Sequence, residues 1–291
     1  MKVRGVDGCA QRLRCGALAL LLAAANSGVA ASLPRIASLN LCTDSMLLEL
    51  EPMLNIVSVT HLAQQPALSP FAGRAKQIPI NHGLAEEIVA RAPHLILTGT
   101  STADVTAALL TRLGFRVEHF PNASSLASFM QDFRRLGRLL RREREVEARL
   151  TKLKVRLGEL SSAHAARTES ALLISGNGYV PGAETLADDL LAAAGLRNAA
   201  ADFGLQNGGF LSLERLLQKP PQWLLIGSIN RTEPALAEAY LLHPAVRRAV
   251  ADERHLIAVP EALWACGGTY FAEAVTIIAR GLAQVRSPAR P

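Results

Sequence analysis

Hydrophobic and polar residues follow two different rhythms along the chain. From residue 34 onward, short apolar runs such as 34–39, 56–59 and 95–97 alternate with segments that have helical spacing. A second set of the same kind begins at residue 171. Strands that alternate with helices are typical of a largely parallel sheet with helices on both faces. The pattern therefore predicts an α/β fold with two Rossmann-like lobes.

The segment between the lobes, 124–162, contains no proline, and its apolar residues recur at spacings of three and four. This spacing indicates a helix with one buried stripe. One unbroken helix of this length would reach about 58 Å at 1.5 Å per residue, which is more than one small lobe can cover. We therefore predict one long helix that joins a lobe over 32–123 to a lobe over 163–291. A coiled-coil arm, or two helices broken near Gly137, are the alternatives.

The two lobes share an internal correspondence. Glu86 and Glu214 are 128 residues apart (214−86), and a proline and a glycine that follow each of them have the same separation. In both places a short helix with an acidic residue precedes a proline, an apolar strand and a glycine turn. The correspondence indicates two similarly built lobes, with chance recurrence of a common α/β unit as the alternative.

The N-terminus has the pattern of a secretory signal peptide. Basic residues precede an apolar run over 16–25, and small residues follow at Gly28, Ala30 and Ala31. The run is shorter than the roughly 20 apolar residues that span a bilayer. We predict that residues 1–31 are a signal peptide cleaved after Ala30 or Ala31, which places the protein in the periplasm. The alternative is an ordinary N-terminal helix.

Removal of this leader changes the charge and the cysteine count. The whole chain carries a formal net charge of +6, but 27 basic (31−4) and 24 acidic (25−1) residues remain without the leader. A charge of about +3 does not indicate a nucleic-acid partner. Cys42 and Cys266 are then the remaining thiols, each after a predicted strand in a different lobe. In an oxidising compartment they could form a disulfide, stay as two separate thiols, or include a nucleophile.

Motifs of common enzymes are absent from the chain. It contains no phosphate loop of the form GxxxxGK[ST], no HExxH and no GxSxG, and the glycine-rich segment 176–182 places its third glycine one residue late for a dinucleotide fingerprint. We therefore predict no catalytic residues, no cofactor and no resident metal. His61 and His82 follow strands, where they could join a carboxylate in a metal site or serve as ordinary polar residues.

The order of leader, α/β lobe, linking helix and α/β lobe resembles the periplasmic binding proteins of ABC importers for cobalamin, haem and ferric siderophores. The segment 38–44 (SLNLCTD) is similar to the strand-to-helix junction of that family, S-P-x-x-T-E, with Leu39 in place of the proline. Segments 84–96 and 212–217 resemble the glutamate-bearing helices of the family's two lobes. The resemblance covers nearly all of the chain after the leader.

The resemblance implies roles for particular residues. One exposed glutamate on each lobe, Glu86 and Glu214, is expected to dock on an arginine pocket of a dimeric permease. Trp264 matches the aromatic residue that lines the cleft in cobalamin-binding relatives, whereas Ile80 stands where those relatives have a tryptophan. Loop positions at strand ends supply the other ligand-binding candidates, which are Asn40, Cys42, His61, Asn81, His82, Tyr179 and Phe210.

We therefore expect a monomeric, non-enzymatic solute-binding protein that delivers a metal chelate, cobalamin or a ferric siderophore, to an ABC importer permease. The linking helix predicts only modest closure of the lobes around the ligand. The alternative functions are a receptor for free zinc or manganese ions, a secreted thiol enzyme that uses Cys42 or Cys266, and a scaffold without a small ligand.

Overall fold

The computed structural model describes residues 33–100, 104–162, 169–228, 243–248 and 255–286; the predicted signal peptide lies outside these residues. The first lobe is built on a five-stranded parallel sheet with the order β3-β2-β1-β4-β5. Its strands are β1 (Arg35–Ser38), β2 (Asn55–Thr60), β3 (Ile80–Asn81), β4 (Leu95–Thr98) and β5 (Val117–His119).

Helices cover both faces of this sheet, so its central strands are apolar at successive positions. Ile36 and Leu97 pack into one buried cluster, whereas Ala37 and Ile96 pack into another on the opposite face. Adjacent residues of a strand point to opposite faces, and a parallel sheet is buried on both. The helices of the lobe are α1 (Leu41–Leu50), α2 (Ala72–Ala75), α3 (Ala85–Val89) and α4 (Asp104–Arg112).

The second lobe is built on a four-stranded parallel sheet with the order β11-β10-β6-β8 and an antiparallel ribbon of β7 and β9. The strands are β6 (Ser170–Ile174), β7 (Tyr179–Val180), β8 (Arg197–Asn198), β9 (Gly209–Phe210), β10 (Trp223–Ser228) and β11 (Leu256–Pro260). The helices are α7 (Leu186–Ala193), α8 (Leu213–Gln218), α9 (Pro244–Arg248) and α10 (Phe271–Arg286). The predicted fold class, two α/β lobes with parallel sheets flanked by helices, is confirmed.

The internal correspondence extends to the boundaries of the elements. Helix α8 begins 128 residues after α3 (213−85), and β10 begins 128 residues after β4 (223−95). In each lobe the glutamate is the second residue of the short helix, and a central strand of the sheet follows. The two lobes therefore repeat one helix–strand unit in the same register.

The prediction of one unbroken helix over 124–162 is wrong. Helix α5 (Leu126–Leu140) ends at Arg141, which has the left-handed backbone angles φ 55° and ψ 48°, and α6 (Glu143–Ser162) begins two residues later. A left-handed residue cannot continue a right-handed helix, so the chain changes direction there. Arg134 of α5 pairs with Glu147 of α6 at 2.9 Å. The alternative of two helices is correct, although the break follows the position suggested by Gly137.

Helix α6 nevertheless connects the two lobes. Val146 and Leu150, near its start, belong to the buried cluster of the first lobe. Leu153 and Leu160, further along, belong to the buried cluster of the second lobe. A helix of 20 residues spans about 30 Å, so α6 alone reaches from one core into the other.

A buried carboxyl group lies where α1 meets β2. The Asp44 carboxylate accepts hydrogen bonds from the Thr60 backbone N–H at 3.2 Å and from the Thr60 hydroxyl at 2.5 Å. Burial raises the pKa of Asp44 to about 7, while hydrogen bonds from Ser38 and Thr60 oppose this rise. The folded protein therefore holds a proton on Asp44 at pH values at which an unfolded chain, with a pKa of about 3.9, has lost it.

This difference predicts a pH dependence of stability. The contribution of the raised pKa is fully present below about pH 4 and is lost as the pH rises through about 7. We expect the free energy of unfolding of the wild-type protein to fall between pH 5 and pH 8 relative to Asp44→Asn, whose amide does not titrate. Urea unfolding at each pH measures the difference. Parallel curves for the two proteins would contradict the assignment to Asp44.

Candidate functional site

In the first lobe, two of the predicted cleft residues, Asn40 and Asn81, stabilise the scaffold at the strand ends. Asn40 caps α1, and its side-chain oxygen accepts hydrogen bonds from the backbone N–H groups of Cys42 at 2.8 Å and Thr43 at 3.3 Å. Gly99, after β4, lies so close that an added Cβ would be 2.4 Å from the Asn40 side chain. A larger residue at position 99 would displace the cap.

Asn81 is fully buried at the end of β3. Its amide donates to the Ser38 carbonyl at 2.9 Å, to the Ser58 hydroxyl at 2.8 Å and to the Val59 carbonyl at 3.0 Å. These bonds join the ends of three neighbouring strands and leave no surface for the ligand contact expected of Asn81. The sequence did not reveal this structural role, because it depends on the order of the strands in the sheet.

The two predicted histidines do come together beside these strand ends. The rings of His61 and His82 stack with their centroids 4.9 Å apart. Nδ1 of His82 lies 3.0 Å from a carboxylate oxygen of Glu87, and the His82 backbone N–H donates to the other oxygen at 2.7 Å. The hydrogen bond from the His82 side chain is the main reason that the pKa of Glu87 is lowered. An ionised carboxylate only accepts hydrogen bonds, so His82 carries its proton on Nδ1.

This arrangement leaves Nε2 as the other nitrogen of the exposed His82 ring. His61 is half-buried, and its own Nδ1 has no hydrogen-bond partner among the described residues. Within the described part of the chain there is no group of three His, Cys, Asp or Glu residues that could hold a metal ion. Sequence reasoning missed the pairing of Glu87 with His82. The feature that could have indicated it is the position of Glu87 in the first turn of α3, five residues after His82.

The second lobe contributes aromatic surface at its strand ends. Tyr179 and Phe210 face each other across the β7–β9 ribbon with ring centroids 5.5 Å apart, and they are 38% and 68% exposed. Tyr179 and Trp264 line a cavity of about 350 Å³, which also contacts Ser175 and Glu261. Three of the predicted ligand-binding residues, Tyr179, Phe210 and Trp264, are thus placed in one region.

Two polar atoms at this cavity have no hydrogen-bond partner among the described residues. They are the indole Nε1 of Trp264, a donor, and Oε1 of Glu261, an acceptor. A buried polar atom without a partner is costly unless a bound molecule or water supplies one. Trp264 also packs into the core of the second lobe, so it is both a core residue and part of the cavity wall. Sequence reasoning missed Glu261, which follows β11 directly.

A disulfide joins the strand-end edges of the two lobes. Cys42, in the first turn of α1, is bonded to Cys266, two residues after Trp264, with their Cα atoms 5.0 Å apart. The next residue, Gly267, has φ +69° and lies against the Phe129 ring, where an added Cβ would be 2.9 Å away. The bond therefore fixes the start of α1 in the first lobe beside the segment of the second lobe that carries Trp264. Neither sulfur is available as a nucleophile.

The two predicted docking residues lie on the surface of separate lobes. Glu86 and Glu214 are both exposed, each as the second residue of its helix. Hydrogen bonds from its own backbone N–H and from Ser212 lower the pKa of Glu214. Each carboxylate lies beside exposed apolar side chains, Leu84 and Val89 on the first lobe and Leu217 on the second.

Comparison with known proteins decides the family. Residues 36–260 match the family model described as periplasmic binding protein. The chain belongs to the periplasmic binding protein family. Members of this family bind solutes for transport, so the chain is a binding protein and not an enzyme, and membership implies a periplasmic location. The match covers both sheets and the two helices between them.

Solved structures agree with the family in fold. A periplasmic haem-binding protein from Roseiflexus sp. RS-1 is 21% identical with a TM-score of 0.69, and the alignment covers 85% of this chain and 98% of that one. A periplasmic haem-binding protein from Pseudomonas aeruginosa is 22% identical, with a TM-score of 0.68 and coverages of 88% and 94%. A protein of an ABC-type Fe3+-hydroxamate transport system from Saccharomonospora viridis is 19% identical, with a TM-score of 0.67 and coverages of 86% and 93%.

Curated protein sequences gave no significant match to the chain. The described helices include none with the length and apolar character needed to cross a membrane. At these sequence identities the likeness to the solved structures is one of fold, so the identity of the ligand must be argued from the residues of the site.

The interlobe disulfide gives a direct chemical prediction. Thiol titration of the denatured, non-reduced chain without its leader should find no free thiol, and reduction should release two. We expect Cys42→Ser with Cys266→Ser to lower the free energy of unfolding by about 2–5 kcal/mol, because the bond restricts the unfolded chain. Two free thiols before reduction would show that the bond does not form.

Proposed function

We propose that this protein captures an iron-bearing chelate, haem or a ferric siderophore, between the strand-end edges of its lobes and delivers it to the permease of an ABC importer. The observation that carries the proposal is the exposed aromatic pair Tyr179 and Phe210 beside the cavity that Trp264 lines. The family supports a transport role. The haem-binding and Fe3+-hydroxamate proteins of the same fold favour this ligand class over cobalamin.

The aromatic side of the site suits a large ligand with apolar faces. Phe210 is the most exposed aromatic side chain among the described residues, and it is held in place by its contact with Tyr179. Rigid aromatic rings offer a large contact area at a low cost in conformational entropy. The unpaired Nε1 of Trp264 and Oε1 of Glu261 add a hydrogen-bond donor and an acceptor at the cavity wall.

The histidine side of the site complements a metal chelate. Glu87 orients the His82 ring so that Nε2 can accept a hydrogen bond or bind the metal that the chelate carries. A receptor for free zinc or manganese would need several protein ligands, and among the described residues no group of three His, Cys, Asp or Glu residues could hold such an ion. For this reason we favour a chelate, which brings most of its own metal ligands, over a free ion.

The crosslink between the lobes bears on how the ligand is captured. The disulfide fixes one point of the first lobe to one point of the second, and α6 packs into both cores. A hinge motion that separated the lobes at this point would have to break a covalent bond. We propose that ligand capture depends on movements of side chains and loops, with little change in the distance between the lobes.

Delivery is proposed to use one carboxylate on each lobe. Glu86 and Glu214 occupy equivalent positions of the repeated helix–strand unit, so each lobe presents one exposed carboxylate. A dimeric permease offers two equivalent surfaces, and carboxylates pair strongly with arginine. The exposed Leu84, Val89 and Leu217 would add apolar contact around these ion pairs.

The aromatic pair provides the test of ligand binding. We expect Tyr179→Ala with Phe210→Ala to weaken binding of haemin or of a ferric hydroxamate by about tenfold or more, because each buried aromatic ring contributes about 1.5–3 kcal/mol. Fluorescence quenching titration with haemin, a ferric hydroxamate, cyanocobalamin and zinc chloride measures the affinities. Val105→Ala, which removes a side chain that is 84% exposed elsewhere on the first lobe, is the control.

Two results would contradict the ligand class. Unchanged affinity for every chelate in the double variant would exclude the aromatic pair from the site. Tight binding of zinc alone, abolished in His61→Ala with His82→Ala, would instead support the free-ion receptor.

The docking residues are tested by transport. We expect Glu86→Ala with Glu214→Ala to abolish permease-dependent uptake of the chelate while ligand affinity stays within about twofold, because the carboxylates contact the permease and not the ligand. Glu143→Ala with Glu145→Ala, two acids of α6, is the matched control and should transport normally. Full uptake by the Glu86 and Glu214 variant would rule out docking through these carboxylates.

A further inference from the structure

A second, larger cavity lies between the lobes and shares no residue with the cavity beside Trp264. We call it the α6 cavity; it has a volume of about 950 Å³. Its wall comes from the end of α1, from α2, from α6, from the segment that leads into α10, and from α10 itself. The polar residues that matter for its chemistry are Glu49, Arg149, Lys152, Thr269 and Arg280. Cavities that bind small molecules commonly measure about 300–1,000 Å³.

The α6 cavity is rich in basic side chains, and some of them are already paired. Arg74 donates to the Leu48 carbonyl at 2.9 Å, and Arg156 pairs with Glu159 at 3.0 Å. The other three cations of the wall, which come from α6 and α10, have no ion pair within 4.0 Å among the described residues; they are Arg149, Lys152 and Arg280. Glu273 also lines the wall and has no ion pair within 4.0 Å among the described residues. The three cations outnumber it, so the wall keeps a net positive charge that favours a ligand with more than one negative charge.

Buried polar atoms of the wall point to the same conclusion. Glu49 is only 3% exposed, and one of its oxygens accepts hydrogen bonds from the backbone N–H of Thr269 at 3.1 Å and from the Thr269 hydroxyl. Its other oxygen, Oε2, and the Nε of Arg149 are buried without a hydrogen-bond partner among the described residues. No ion pair within 4.0 Å links the two groups, although the charge of Arg149 acts on the Glu49 carboxyl.

A ligand that completes both hydrogen bonds needs two kinds of group. Arg149 requires an acceptor such as a carboxylate or phosphate oxygen, and the Glu49 oxygen requires a donor such as a hydroxyl. Burial is the main cause that raises the pKa of Glu49, and a donor from the ligand would favour the ionised form again. The two requirements define a hydroxylated polyanion.

We propose that the α6 cavity binds a small molecule with two or more carboxylate or phosphate groups and a hydroxyl group. The anionic groups contact Arg149, Lys152 and Arg280, and the hydroxyl donates to Oε2 of Glu49. Because its wall includes residues of both lobes and of α6, the bound molecule joins them. This site is separate from the chelate site, so the protein can hold both ligands together.

Calorimetric titration of the protein without its leader tests the proposal with citrate, pyrophosphate and tricarballylate, which is citrate without its hydroxyl. Acetate at the same ionic strength is the control for general charge effects. We expect saturable binding of citrate, and weaker binding of tricarballylate and pyrophosphate, which both lack its hydroxyl group. The relative affinities for tricarballylate and pyrophosphate, neither of which carries the hydroxyl, distinguish a carboxylate ligand from a phosphate ligand.

Two charge variants of α6 locate the site. Arg149→Gln with Lys152→Gln should weaken binding of the polyanion by about tenfold or more, since each hydrogen bond to a charged group contributes about 1.5–3 kcal/mol. Arg144→Gln with Lys154→Gln removes two exposed charges of the same helix that do not line the cavity, and it should leave binding within about twofold. Circular dichroism establishes that both variants fold.

Three results would overturn the proposal: absence of saturable binding by the wild-type protein, equal loss of affinity in both charge variants, or loss of polyanion binding in Tyr179→Ala with Phe210→Ala. If Arg149→Gln with Lys152→Gln does not fold, hydrogen exchange of the wild-type protein tests whether the polyanion binds at the α6 cavity. Citrate or pyrophosphate should then slow exchange at residues 148–156 and 270–280, and unchanged exchange there would equally overturn the proposal.

Discussion

Helix α1 carries both attachments that hold the second lobe against the first. Its first turn bears Cys42, which is bonded to Cys266, and its last turn bears Glu49, which accepts hydrogen bonds from Thr269. The segment 266–269 of the second lobe therefore runs alongside α1. The placement of the α6 cavity follows from this contact, because its wall takes residues from both lobes and from α6.

The position of α1 is in turn fixed by polar contacts at the strand ends. Asn40 caps the helix, Asp44 bonds to Thr60, and Asn81 ties together the ends of β1, β2 and β3. These polar side chains could hydrogen-bond a ligand, but their hydrogen bonds are made within the scaffold. The ligand contacts that we propose therefore fall to exposed side chains such as His82 and Phe210.

The architecture could be predicted from the sequence because it depends on local patterns. Apolar runs and helical spacing identify the lobes, and the spacing of Glu86 and Glu214 reveals the repeated unit. The break at Arg141 could be placed only roughly from the sequence, since Gly137 lies four residues before it and the turn is stabilised by contacts between α5 and α6. The fully buried position of Asn81 and the pairing of Glu87 with His82 depend on which strands are neighbours.

The crosslink closes a ring that contains most of the polypeptide, since its two cysteines are 224 positions apart. The first of them occurs near the start of the described part of the chain and the second close to its end. A bond of this kind is completed only after nearly the whole chain has reached an oxidising environment. The first lobe is therefore synthesised early, but its covalent bond to the second lobe forms late. Any truncation before residue 266 leaves Cys42 as an unpaired thiol.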